Sequence, residues 1–122
     1  VFEEIKIFNF KNDCVDLSDG FYSIKFLNLV KCGDKGLSVG EKSRVYINNL
    51  ISKEAQIAVA SKDSSVLNLE RLIAYESQYC VLAYRKKQEF FGSEVNIKNA
   101  NCNNSLTINE TGSNITIIHN DF

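Results

Sequence analysis

The chain has 122 residues, 44% of them hydrophobic and 24% charged, the composition of one ordinary folded domain spanning 1–122. Fourteen Lys+Arg against fifteen Asp+Glu leave a net charge of −1, with no cationic excess for phosphates, so nucleic acid is excluded as an expected partner. No apolar run approaches the roughly 18 residues of a spanning helix and no basic stretch leads into an apolar segment at the N-terminus, so neither membrane insertion nor a secretion signal is expected.

From the first residues onward, two apolar residues flanking a polar one recur: Ile5/Ile7, Ile24/Phe26, Val45/Ile47, Leu67/Leu69, Val95/Ile97 and Ile115/Ile117. Their second members lie 19, 21, 22, 28 and 20 residues apart. Such alternation is the period-two signature of a strand with one buried face. Asn9, Asn28, Asn49, Arg71, Asn99 and His119, two positions after each pair, predict a bend. A second pair then follows: Val15/Leu17, Leu37/Val39, Ile57/Val59, Cys80/Leu82 and Leu106/Ile108.

A unit of about 20 residues carrying two short strands cannot bury its own apolar face, so it must stack on its neighbours. Successive windings then lie about 4.8 Å apart with their strands in parallel. The expected fold is all-β, a parallel β-helix (solenoid) of about six coils. A leucine-rich solenoid shares the period but lacks the L-x-x-L-x-L pattern, and a sandwich gives no equivalent residues at this spacing. At one bend Asn9, Asn28, Asn49 and Asn99 are expected to stack as an amide ladder broken by Arg71. Pro is absent and there are 6 Gly, so the corners fall to Asn, Asp, Ser and Lys. Val1 opens almost directly on a coil and Phe122 follows the last one, with no initiating Met. The chain is therefore expected to be an uncapped fragment of a longer protein, meeting flanking domains or another copy end to end.

Cys14, Cys32, Cys80 and Cys102 form no C-x-x-C pair, so their pairing and their compartment stay open. Cys80 takes the place of Val15, Leu37, Ile57 and Leu106 and reads as a small core hydrophobe. Three Asn-X-Ser/Thr triplets are near what this Asn-rich composition supplies by chance.

Departures from the repeat are where function is sought, because the column itself is scaffold. In the first two coils, Asp13, Asp16 and Asp19 are followed by Asp34, Lys35, Ser38 and Glu41. Stacking sets Asp16 beside Ser38 and Asp13 beside Lys35. Grouped carboxylates suit Ca²⁺ or acid–base work, and tight corners use the same residues. One coil on, Lys62 and Asp63 lie among Ser61, Ser64 and Ser65, with Lys62 expected between Glu41 and Arg85. Residues 84–92 are the insertion that stretches one interval to 28. There Tyr84, Arg85, Lys86 and Lys87 adjoin Phe90 and Phe91, a mixture suited to an acidic or sugar-like ligand, or to a solvated loop folded over the column. Glu41, Lys62, Asp63, Tyr84, Arg85, Lys86 and Phe90 are the expected ligand contacts. The sole His119 completes no catalytic triad.

Through Asn12-Asp13-Cys14-Val15-Asp16-Leu17-Ser18, the Cys32 to Ser43 segment and Ala58-Val59-Ala60-Ser61-Lys62-Asp63-Ser64-Ser65, the chain resembles right-handed parallel β-helix repeat proteins of the pectate-lyase-like superfold. It looks most like the β-helix modules of large bacterial surface proteins. The resemblance implies a secreted or surface-exposed module that binds carbohydrate or acts as a rigid spacer. Its wider superfamily implies a fragment of a lyase, hydrolase or epimerase acting on acidic polysaccharide. Asp13, Asp16 and Asp34 are then the catalytic carboxylates and Lys35, Lys62 or Arg85 the cation. A third implied role is assembly into a fibre or surface layer. No cofactor is assigned, Ca²⁺ being only a candidate for the grouped carboxylates, and no metal ligand set is defined.

Overall fold

The computed structural model describes residues 2–103 and 105–121, so Val1 and Phe122, on which the expectation of uncapped ends was partly argued, lie outside it. Nine strands, and no helix among the described residues, form one parallel sheet: β1 (Phe2–Phe10), β2 (Val15–Ser18), β3 (Phe21–Gly40), β4 (Arg44–Lys62), β5 (Val66–Tyr75), β6 (Tyr79–Tyr84), β7 (Glu94–Asn101), β8 (Leu106–Asn109) and β9 (Asn114–Asn120). One ladder runs β1-β3-β4-β5-β7-β9 and a second β2-β3-β4-β6-β8. Six strands on one side and five on the other make a β-solenoid of about five turns, against the six coils expected.

The inward side chains explain the shape. In the second winding Ile24 is buried, then Leu27 and Leu29, then Leu37 and Val39. The step from Ile24 to Leu27 is three residues instead of two, so the chain turns there while remaining hydrogen-bonded. Ile47 to Leu50, Leu69 to Leu72 and Ile97 to Ala100 repeat that step, and all of these side chains are buried. Each winding thus carries three inward runs and has three sides, where the repeat pattern suggested two.

This extra side corrects the register of the first coils. Ile5 and Ile7 stack on Leu27 and Leu29, and Ile24 stacks on Ile47. The expected file through Ile7, Phe26, Ile47 and Leu69 is not formed; the file is Ile24, Ile47, Leu69, Ile97 and Ile117. Its last four members were aligned correctly from the repeat. The bend ladder survives as Asn49, Arg71, Asn99 and His119, but Phe26 lies beneath Asn49 and Asn28 aligns with Ile51.

The other two corners are turned in the left-handed region. Asn9, Lys31, Glu54, Glu76 and Asn103 take φ of 49° to 61°, each turning the corner before the third side. The corner after it uses Asp19, then the pairs Glu41/Lys42 and Asp63/Ser64, with φ from 45° to 64°. Asn and Asp accept this region easily, and the Glu residues are held in it by the ladders on either side.

Two disulfides cross between windings, Cys14–Cys32 and Cys80–Cys102, closing segments of 18 and 22 residues. Cys80 is fully buried as expected, but it is a disulfide partner, and its neighbour Val81 takes the place over Val59. That one-residue slip sets Val81 and Ala83, both fully buried, in place of Cys80 and Leu82.

Candidate ligand-binding site

On the third side the outward column runs Asp16, Ser38, Ala60, Leu82, so Asp16 stands beside Ser38 as expected. Asp16 is exposed, whereas Ser38 is fully buried and its Oγ has no partner. Two residues further on, a Cβ on Gly40 would fall 3.0 Å from Lys62 Cε, so the lysine stem lies over glycine backbone. Lys62 therefore sits over Gly40 and under Tyr84, not between Glu41 and Arg85.

Beside this column the corner of the first winding meets the second. The Lys35 backbone N–H donates to Asp13 Oδ1 at 3.1 Å, and Lys35 Nζ lies 3.0 Å from Asp34 Oδ2 and 3.7 Å from Asp13 Oδ1. The Lys35 and Asp13 side chains are only 16% and 18% exposed. Burial opposes the Lys35 charge, but the Asp34 hydrogen bond and the charges of Asp13 and Asp34 outweigh it and hold its pKa above the ordinary 10.5. Tyr84, from the fourth winding, lies within the field of the same groups. Burial first, then Asp63, Asp13 and Asp34, push its hydroxyl above the ordinary 10.0 against the pull of Lys35. Asp13, Asp34 and Lys35 thus meet across two windings, with Tyr84 of the fourth within their field. Three of the four were grouped by the sequence; the link to Tyr84 was not.

The insertion docks on the adjoining corner. Asp63 is 1% exposed, and its Oδ1 accepts the backbone N–H groups of Lys86 at 2.7 Å and Lys87 at 2.9 Å, while Oδ2 has no partner. At the far end of the loop Phe91 N–H donates to Ser64 Oγ at 2.7 Å and Ser64 N–H to Phe91 O at 2.8 Å. Lys87 Nζ pairs with Glu41 Oε1 at 2.5 Å, and Lys42 Nζ lies 5.8 Å from the centre of the Phe90 ring. Of the expected contacts, Glu41, Asp63 and Phe90 therefore hold the loop. Arg85 and Lys86 present exposed cationic side chains next to Tyr84.

The sequence reading missed the outer face of the first side, where Tyr46, Asn68 and Asn96 stand in one column. The signal was the residue between each apolar pair, which is outward by alternation. No group of three or more metal-ligating side chains occurs among the described residues. Compared with known proteins, this parallel β-solenoid matches no family model, no curated protein and no solved structure.

Proposed function

We propose that the chain is a carbohydrate-binding β-solenoid module of an extracellular or cell-surface protein, taking an acidic polysaccharide along its third side. Lys62, Arg85 and Lys86 supply cationic donors to sugar carboxylates and Tyr84 supplies a ring and a protonated hydroxyl, while Lys35 is taken up by Asp13 and Asp34 and braces the neighbouring corner. The observation that carries this reading is geometric: Asp63 and Ser64 latch the insertion so that Arg85 and Lys86 stay exposed beside Tyr84 at the end of the third side. Lys35 and Tyr84 agree with it, since both move away from the neutral range that acid–base work uses. Two disulfides support an oxidising compartment outside the cytosol. The resemblance to surface β-helix modules points the same way.

Retention of the whole chain on polygalacturonate or alginate tests this reading. Binding that weakens with salt and is lost in the combined Lys62→Ala, Arg85→Ala, Lys86→Ala variant is expected. No retention on either polymer would remove the binding role and leave a rigid spacer.

The carboxylates Asp13, Asp16 and Asp34, carried on neighbouring windings, favour one second reading, a fragment of a lyase, hydrolase or epimerase acting on the same polymers. It requires turnover of uronic-acid chains that falls at least tenfold in Asp16→Asn; unchanged turnover in that variant removes it.

A further inference from the structure

The side built from the first halves of β3 and β4 with β5, β7 and β9 turns its outer face to solvent. Ser23, Tyr46, Asn68, Asn96 and Thr116 form one outward column, and Glu70 and Lys98 stand in the next. Between them lies a groove of about 270 Å³ lined by Tyr46, Asn68, Glu70, Asn96, Lys98 and Thr116. Those residues belong to four successive windings, so the groove runs along the column for about 14 Å.

Its charges are already spent on each other. Glu70 accepts the Tyr46 hydroxyl at 2.5 Å and pairs with Lys98 Nζ at 3.3 Å. Asn96 Nδ2 donates to Asn68 Oδ1 at 3.1 Å, which leaves Asn68 Nδ2 as a donor and Asn96 Oδ1 as an acceptor without a partner among the described residues. The Tyr46 side chain is held in place by Glu70 while the residue stays 41% exposed. A second depression shares Tyr46 and Asn68 and is bordered by Phe21, which is 84% exposed.

A fixed aromatic ring, a free amide donor, a free amide acceptor, the apolar edge of Ile118 and a paired Glu70 and Lys98, with the Glu94 carboxylate 3.3 Å from Asn96 Nδ2, fit an uncharged polyhydroxyl chain rather than an anion. Its hydroxyls both donate and accept, and its C–H faces pack on rings. An anionic ligand would have to break the Glu70–Lys98 pair or face the carboxylate. We propose that this groove is a second binding site, for a neutral linear oligosaccharide, with a sugar stacked on Tyr46 and its hydroxyls bonded by Asn68 and Asn96. It lies on a different side of the column from Lys62 and Tyr84 and stands independently of the function proposed for them.

Amide NMR titration of the whole chain with cellohexaose, xylohexaose, mannohexaose and laminarihexaose tests the proposal. At least one should give saturable shifts at Tyr46, Asn68 and Asn96, weakened about tenfold by Tyr46→Ala and also weakened by Asn96→Ala. Both residues are on the surface, so unchanged signals elsewhere report an intact fold. Absence of shifts at these residues with all four sugars at millimolar concentration overturns the proposal. So does binding that survives Tyr46→Ala, or that is abolished by Lys62→Ala. Failure of uronate retention with neutral-sugar binding intact would count against the first site alone.

Discussion

Lys35 and Tyr84 make the site sensitive to alkali. Lys35 has a folded pKa above 10.5, so its stabilising contribution is complete below that value and is lost as pH rises through the folded pKa. Tyr84 acts in the same direction: the unfolded phenol ionises near 10.0 while the folded one keeps its proton, so stability falls once pH passes that value. Urea midpoints of wild type and Lys35→Met should differ at pH 7 and converge as pH rises past 10.5 and through the folded pKa of Lys35; a constant difference would show that the Asp13–Lys35–Asp34 cluster does not act through charge. The sequence set Asp13 against Lys35 because both occupy the same position in successive windings. Tyr84 read only as the first residue of a loop. It enters the field of Lys35 from two windings away, a relation between distant side chains that a one-dimensional repeat does not encode.

The insertion is held by a buried carboxylate, and the strands by their shared interior. Asp63→Ala removes the acceptor for two backbone N–H groups, each such bond being worth about 1.5–3 kcal/mol. Trypsin should then cut after Arg85, Lys86 or Lys87 much faster than in wild type, and equal rates would mean that the latch is not Asp63. Ile47→Ala, in the middle of the buried file, should lower stability by about 2–5 kcal/mol in urea unfolding. The long interval made the insertion legible, but not its docking, because Asp63 also reads as an ordinary corner residue. Val45/Ile47, Leu67/Leu69, Val95/Ile97 and Ile115/Ile117 aligned correctly because each offers a single apolar frame. Tyr22, Ile24, Phe26, Leu27 and Leu29 offer two frames. The three-residue step decides between them, and it becomes visible only where Ile24 and Leu27 are both buried.

Over the full length of the column, two covalent staples and the pairing of the last described strands set the behaviour. Replacing Cys80 and Cys102 together by Ala should cost about 3 kcal/mol, read as a lower urea midpoint in oxidising buffer. Their pairing was hidden in the sequence because partners 22 residues apart become neighbours only when windings stack. At the last winding β8 and β9 are each paired on one edge only, and Leu106 and Ile108 are 58% and 42% exposed. We expect concentration-dependent association in sedimentation, reduced by Ile108→Lys; a monomer at all concentrations would contradict it. The proposed acidic-glycan patch depends on groups delivered by two windings acting together, and NMR titration of the labelled chain with oligogalacturonate tests that most directly. Saturable shifts centred on Lys62, Tyr84, Arg85 and Lys86, lost in the combined Arg85→Ala, Lys86→Ala variant, are the expected result. Saturating ligand that leaves those signals unmoved would contradict the account.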